Sequence, residues 1–337
     1  NRGRLHHRMT ERWTNGTGKR GNAVLHWKWG IKGSKLKKTV LAVAVCLMAA
    51  GVSFPTYSQK TAAAPAAGSA EHLPEASFAQ LEAEHGARLG VYAWDMETGQ
   101  RLQYRADERF AYCSTGKMLI VGACLQKGSG IGLDEKISYT SADLLSYAPV
   151  TKEHVAQGMT VAELCSAALR MSDNTAANLL LERIGGIEGL KRSLVALHDF
   201  VTSPARPEPD LNTARPYEIA DTTTPHQLAF DLHAYAFGDI LGSKERRQFM
   251  DWMMDSPITG SLVRAGTPTG WHVADKSGSG GFGTRNDAAV IFPPHHAPVL
   301  LVIMTTHDRE DAPSDDALVA AVTRIALSSL VPGYTEP

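Results

Sequence analysis

The order of strand-like and helix-like segments constrains the fold of this chain more than any other feature. Helical spacing of apolar residues dominates the middle of the sequence, at 114–265, and returns in a closing segment at 314–331. A short helix at 74–86 is followed by two strands around a turn at 88–108, and three further strands follow the central helical region, in GWHVADKSGSGG, RNDAAVIFP and APVLLVIMTTH. This order predicts an α/β domain with one sheet built from both chain ends and an all-helical subdomain inserted between them.

The net charge of −1 averages two unlike parts of the chain. Residues 1–38 carry eleven Lys and Arg and one acid, which leaves about −11 for residues 39–337. An acidic body gives no electrostatic reason to bind nucleic acid, whose affinity comes largely from cations on phosphates. With 43% apolar and 20% charged residues, the chain has a globular composition.

A basic segment followed by the apolar run TVLAVAVCLMAAGVSF at 39–54 is typical of a secretory signal peptide. The run is short for a membrane-spanning helix of about 20 residues, and Gly51-Val52-Ser53 predicts cleavage after Ser53. The alternative is an uncleaved N-terminal anchor. We therefore expect a leader at 1–53, an Ala/Pro/Gly-rich linker at 54–72 and a folded domain at 73–337 that is exported, to the periplasm or the medium.

The expected folded domain holds three cysteines, Cys113, Cys124 and Cys165. An exported protein meets oxidising conditions, which allow one disulfide with one thiol left over, and the sequence alone does not fix the pairing. The chain has no CxxC, H-E-x-x-H or H-x-H-x-D pattern, so we expect neither a metal nor a cofactor.

Ser114 and Lys117 stand where the strand region gives way to a helix, in YCSTGKML. Side chains three residues apart share one helix face, and the helix N-terminus places a partial positive charge beside the serine. This position suits a nucleophile whose attack generates an oxyanion. Taken alone, the pair is more often an N-cap serine with a surface lysine, and the same spacing recurs at Ser34 and Lys37 in the basic segment.

Two further motifs change the interpretation of this pair. Ser172-Asp173-Asn174 lies between two helical runs, and Lys276-Ser277-Gly278 ends a predicted strand. S-x-x-K, S-D-N and K-T-G occur together in class A β-lactamases and penicillin-binding proteins, and K-S-G keeps the hydroxyl of the third motif. From about residue 74 to 331 the chain resembles a class A serine β-lactamase.

Shorter matches support the same family. RPEPDLNT at 206–213 resembles its Ω-loop, in which Glu208 and Asn212 would hold the hydrolytic water. The resemblance further implies an aromatic residue at the site mouth, an ion pair that closes the loop, and a cation that assists Lys276 with the substrate carboxylate; the matching residues are Tyr147, Arg206 with Asp221, and Arg285.

The resemblance implies the two-subdomain α/β fold of serine β-lactamases and transpeptidases. An antiparallel sheet part would span 73–113 and 266–337, and the helical part 114–265. Ser114 would be the nucleophile, Ser172 the proton relay to the ring nitrogen, and Glu208 the base that releases the acyl group. The resemblance offers two candidates for the base that deprotonates Ser114 during acylation, Lys117 and Glu208. Backbone N–H groups of Ser114 and Ser279 would form the oxyanion hole, and the substrate would contact Asn174, Lys276, Ser277, Gly278, Arg285 and Tyr147.

These assignments predict a monomer that hydrolyses a small β-lactam through a serine acyl-enzyme. The alternatives are a D,D-peptidase of cell-wall peptides and a sensor domain that stays acylated. The substrate spectrum is open: Cys113 matches one half of a disulfide of carbapenem-hydrolysing relatives, but Gly280 occupies the other position. Cys165 resembles one half of another family disulfide, with Val121 at the partner position and Cys124 one helical turn away.

Overall fold

The computed structural model describes residues 74–337, and the leader and linker expected at 1–72 lie outside the described residues. Its helices are α1 Pro74–His85, α2 Lys117–Leu125, α3 Val161–Arg170, α4 Asn174–Arg183, α5 Gly186–Ala196, α6 Pro225–Ala236, α7 Ser243–Met254 and α8 Asp316–Leu330. Its strands are β1 Arg88–Asp95, β2 Arg101–Tyr104, β3 Phe110–Ala111, β4 Lys136–Ile137, β5 Met159–Thr160, β6 Thr222–Thr223, β7 His272–Ser279, β8 Arg285–Phe292 and β9 Val299–Thr306.

The main sheet joins the two ends of the described chain, as the segment order predicts. Its strand order is β2-β1-β9-β8-β7, and every neighbouring pair is antiparallel. Strand β1 pairs with β9 along its whole length, from Arg88 opposite Thr306 to Asp95 opposite Val299. The predicted α/β fold with an inserted helical part is therefore confirmed.

Each face of the sheet covers its own apolar core. On one face, Val299, Leu301 and Ile303 of β9 pack with α1 and α8. On the other face, the alternating residues Leu300, Val302 and Met304 pack with the helical part. Burial on both faces explains why β9 reads as an uninterrupted apolar run rather than as an alternating one. Helix α2, of which all nine residues are buried, is likewise apolar on all sides apart from Lys117.

The main elements agree with the sequence expectations, and a few were not anticipated. Helix α5 and the short strand pairs β3–β6 and β4–β5 had no separate prediction. The three cysteines are buried free thiols, so neither disulfide considered above is present. Across 74–337, no helix combines the length and apolar character needed to cross a membrane.

Candidate active site

The nucleophile candidate lies in a tight turn that leads directly into α2. Ser114 is part of the 3-10 helix Cys113–Gly116, and Lys117 is the first residue of α2. This junction brings Lys117 Nζ to 2.6 Å from Ser114 Oγ. Cys113, just before the serine, has a left-handed φ of 47°, a conformation that costs energy for a residue other than glycine and clusters at functional sites.

The amino group of Lys117 is buried and has three side-chain partners. Only 1% of its side chain is exposed, and Nζ donates to Ser114 Oγ, to Asn174 Oδ1 at 2.9 Å and to Glu208 Oε1. Burial lowers the pKa of Lys117 below its usual range, against the opposing charge of Glu208. A lysine whose pKa is lowered in this way can act as a proton acceptor.

The Ω-loop, residues 203–221 here, places the carboxylate of Glu208 beside the serine. Glu208 Oε1 lies 3.3 Å from Ser114 Oγ, and Asn212 Nδ2 donates to Glu208 Oε2. The backbone of Glu208 is fixed by Asn178 of α4, whose amide donates to Glu208 O at 2.9 Å and accepts from Glu208 N at 3.0 Å. These contacts fix both the backbone and the side-chain carboxylate of Glu208.

An ion pair joins Arg206 to Asp221 in the Ω-loop, away from the pocket. Arg206 Nε donates to Asp221 Oδ2 at 2.6 Å, and the backbone N–H groups of Ala205 and Arg206 donate to Asp221 Oδ1. The hydroxyl of Tyr112 adds a further bond to Asp221 at 3.0 Å. Arg206 and Asp221 do not line the pocket, and their contacts are consistent with the loop-closing role that the sequence suggests.

Strand β7 forms the opposite wall of the pocket. Lys276 Nζ donates to Ser172 Oγ at 3.1 Å, and it is as deeply buried as Lys117. Burial, and after it the positive charge of Lys117, lowers the pKa of Lys276 to about 7. A Cβ on Gly278 would lie 3.2 Å from Ser114 N and 2.9 Å from Tyr112 O, so glycine permits β7 to approach the nucleophile turn closely.

These side chains surround a single cavity of about 350 Å3. The sequence-predicted residues at its surface are Ser114, Tyr147, Ser172, Asn174, Asn212, Ser277, Gly278, Ser279 and Arg285. Lys117, Glu208 and Lys276 lie beneath them and are joined to them by the contacts above. Tyr147 stands at the rim with 46% of its surface exposed. The guanidinium of Arg285 is held by Asp316, with Nε 2.6 Å from Oδ1.

Sequence reasoning missed several residues that position this site. Asn178 is one, although its spacing of four from Asn174 puts both amides on one face of α4. Asp173 is another: its carboxylate accepts from the backbone N–H groups of Val150 and Thr151, each at 2.9 Å, which fixes the segment after Tyr147. Asn286 of β8 donates to Ala111 O at 2.8 Å, next to the nucleophile turn. Asn178 and Asp173 had a sequence signal, the latter as the middle residue of the S-D-N motif, whereas Asn286 had none.

Comparison with known proteins decides the family. Residues 74–330 match the model of the beta-lactamase enzyme family. The chain belongs to the class A serine β-lactamase family. Beta-lactamase 3 of Bacillus cereus is 47% identical over 254 residues, which cover 75% of this chain and 80% of that protein. The β-lactamase ROB-1 of Haemophilus influenzae is 46% identical over 265 residues, covering 78% and 87%.

Solved structures agree with this assignment. The class A β-lactamase of Clostridium kluyveri is 49% identical and superposes with a TM-score of 0.74, covering 76% of this chain and 97% of that one. This β-lactamase is therefore a hydrolase of the β-lactam amide bond, an activity that confers antibiotic resistance. Family membership favours hydrolysis over the alternatives of a D,D-peptidase or a non-hydrolysing sensor.

Proposed function

We propose that this β-lactamase works through a covalent acyl-enzyme on Ser114. Its hydroxyl oxygen attacks the ring carbonyl, and Lys117, as a neutral amine, takes the hydroxyl proton. The contact of 2.6 Å between Lys117 Nζ and Ser114 Oγ carries this choice of base, because Glu208 Oε1 is farther from the hydroxyl, at 3.3 Å. Backbone N–H groups of Ser114 and Ser279 would stabilise the oxyanion, a contribution of about 3–4 kcal/mol for one such donor.

Ring opening requires a proton on the departing nitrogen. We assign its delivery to Ser172, whose hydroxyl is held by Lys276. Ser172 passes its own proton to the nitrogen and regains one from Lys117, which took the proton of Ser114. Asn174 and Tyr147 would contact the substrate side chain, while Lys276, Ser277 and Arg285 would bind its carboxylate and Gly278 would leave room for it. A cationic Lys276 suits an anionic substrate, and bound carboxylate would favour the protonated form of this lysine.

Release of the acyl group is the step that makes the protein a hydrolase. We assign it to Glu208 as the general base for a water held with Asn212. Glu208 Oε1 accepts from Lys117 and lies 3.3 Å from Ser114 Oγ, and Glu208 Oε2 accepts from Asn212. No cofactor or metal is needed for these steps, whose groups are all side chains and backbone N–H groups of the chain.

The test is Glu208→Ala with a penicillin. We expect acylation to remain measurable and a penicilloyl adduct on Ser114 to accumulate, visible by intact mass spectrometry. Asp210→Ala is the matched control, since Asp210 is an exposed carboxylate of the same loop. Turnover of Glu208→Ala at the wild-type rate would remove Glu208 from the mechanism, and loss of acylation would transfer the role of acylation base from Lys117 to Glu208.

We further propose that the enzyme acts outside the cytoplasm as a monomer, with the leader at 1–53, the linker at 54–72 and the catalytic domain at 73–337. The basic and apolar pattern of the first 54 residues supports export. The mature protein should begin at Phe54 on N-terminal sequencing, and light scattering should give the mass of one chain.

A further inference from the structure

The two ends of the Ω-loop meet at a hydrogen-bonded base. Ser203 N donates to Thr222 O at 2.9 Å, Asp221 N donates to Ser203 O at 2.7 Å, and the hydroxyls of Thr202 and Thr223 are 2.7 Å apart. Helix α6 begins two residues beyond Thr223, at Pro225. A contact between the residues that enter the loop and α6 therefore holds the two ends of the loop in place.

Two buried carboxyl groups make such a contact. Asp199 precedes the loop and is 3% exposed, and Asp231 lies in the second turn of α6 and is 1% exposed. Their carboxyl groups are within hydrogen-bonding reach of each other. Neither Asp199 Oδ2 nor Asp231 Oδ2 has an N–H or O–H donor among the described residues. Two carboxylates cannot share such a buried site while both are ionised.

The other hydrogen bonds indicate which of the two groups holds a proton. Asp199 Oδ1 accepts two backbone hydrogen bonds, from Val201 N at 2.7 Å and Thr202 N at 2.9 Å. Asp231 Oδ1 accepts a single bond, from Gln227 Nε2 at 3.0 Å. Burial and then the charge of Asp199 raise the pKa of Asp231 well above its usual range.

No Lys, Arg or His side chain of residues 74–337 donates to either carboxyl group. Their donors are the backbone N–H groups of Val201 and Thr202 and the amide of Gln227. An ionised Asp231 would thus be a buried, unpaired anion next to another anion, an arrangement that folded proteins avoid by keeping one group neutral.

We propose that Asp231 is a neutral carboxylic acid whose O–H donates to the Asp199 carboxylate, and that this bond is a positioning contact for Glu208. The second half rests on the deacylating role proposed for Glu208. Asp199 and Asp231 touch no substrate. They connect the entrance of the Ω-loop to the helix that begins at its exit. Loss of the bond would therefore loosen the loop that carries Glu208, while Ser114 in the turn before α2 and Lys117 at the start of α2 would stay in place.

Two substitutions at Asp231 separate the bond from mere packing. In Asp231→Asn the amide can donate to Asp199 in place of the acid, whereas Asp231→Leu has a similar size and no donor. We expect Asp231→Asn to keep the deacylation rate within about threefold of wild type. Asp231→Leu should slow it about tenfold or more, since it leaves the buried acceptor of Asp199 without a donor and the loop without this contact. Acylation should change less, so the acyl-enzyme should accumulate in Asp231→Leu.

Infrared spectroscopy of the folded protein detects whether the carboxyl group of Asp231 is protonated. At pH 7, the wild-type minus Asp231→Asn difference spectrum should contain the carbonyl band of a protonated carboxylic acid. Absence of this band overturns the proposal, and so does a deacylation defect in Asp231→Asn as large as that in Asp231→Leu. An equal loss of acylation and deacylation in Asp231→Leu reduces the pair to a structural role and overturns the positioning claim.

Failure of this proposal is distinguishable from failure of the proposed function. Glu208→Ala tests the deacylating base and leaves Asp199 and Asp231 unchanged, so its adduct should form whether or not Asp231 is protonated. The infrared band in turn requires no turnover. A trapped adduct in Glu208→Ala without the carboxylic acid band would retain the mechanism and reject the acid pair.

Discussion

At the scale of single residues, the position of Glu208 depends on a neighbour with no chemical role. The amide of Asn178 satisfies both the N–H and the C=O of Glu208, at 3.0 and 2.9 Å. Removing it in Asn178→Ala leaves two polar backbone groups without their partner, at about 1–3 kcal/mol for each group that stays buried. We expect deacylation to slow by about tenfold or more and acylation to be less affected, measured by stopped-flow kinetics with a chromogenic cephalosporin.

Helix α4 supplies a matched control for this substitution. Glu182 is an exposed residue one turn along from Asn178, and Glu182→Ala should leave both rates near those of wild type. Asn178→Asp, which keeps an acceptor for Glu208 N but loses the donor to Glu208 O, should fall between wild type and Asn178→Ala. Equal slowing of acylation and deacylation in Asn178→Ala would contradict a specific effect on Glu208.

At the scale of elements, the site depends on how closely β7 approaches the nucleophile turn. A Cβ at Gly278 would meet Tyr112 O at 2.9 Å, Thr115 N at 3.1 Å and Ser114 N at 3.2 Å. Gly278→Ala should therefore push β7 away from Ser114 and widen the proposed oxyanion hole. We expect kcat/KM to fall by about 10²-fold, within the range for losing one oxyanion donor.

Gly260→Ala is the control for this change. Gly260 is exposed, its φ is not left-handed, and nothing lies within 4 Å of the position that a Cβ would take. The variant should keep wild-type kcat/KM and stability. If Gly278→Ala acylates as fast as Gly260→Ala, the close approach of β7 to the turn is not needed for the reaction.

Elements and contacts differ in how far the sequence predicts them. The apolar run of β9 and the helical spacing around α2 and α4 are local patterns, and they give the correct order of strands and helices. Helix α5 lies in GIEGLKRSLVA, where two glycines and charged residues weaken the pattern near its start. The bonds of Asn178 to Glu208 and of Asp231 to Asp199 join residues about 30 positions apart, and no local pattern specifies which distant group each side chain will meet.

The residues proposed to be catalytic could be recognised for a different reason. Ser114, Lys117, Ser172 and Lys276 stand in short motifs that the family shares, so they can be found without knowledge of the fold. The contact of Arg285 with Asp316 could not be read in this way, because it depends on where α8 begins relative to β8. Motifs therefore located the site, and the tertiary structure was needed to show what holds each motif in place.

At the scale of the whole molecule, the site buries the side chains of two lysines away from solvent. Lys117 and Lys276 are each about 1% exposed and lie between the helical part and the sheet. The positive charge of Lys117 contributes to the lowered pKa of Lys276, and Glu208 acts in the opposite direction. Keeping either lysine charged in this buried site opposes folding, so the site is expected to reduce stability in return for reactivity.

The pH dependence of unfolding tests this cost at Lys276. Its pKa is about 7 in the folded protein and near 10.5 when unfolded, so between these values the unfolded chain binds the additional proton and stability rises with pH. Below pH 7 the full cost of burying the cation is present. In Lys276→Met this titration is absent. The free energy of unfolding of wild type relative to Lys276→Met, from urea denaturation, should therefore rise by about 1 kcal/mol per pH unit between pH 7 and 10.

The exposed Lys244 provides the control, and the difference in the free energy of unfolding between wild type and Lys244→Met should be flat over the same range. A flat difference for Lys276→Met as well would mean that Lys276 remains protonated throughout, with its charge fully compensated inside the site.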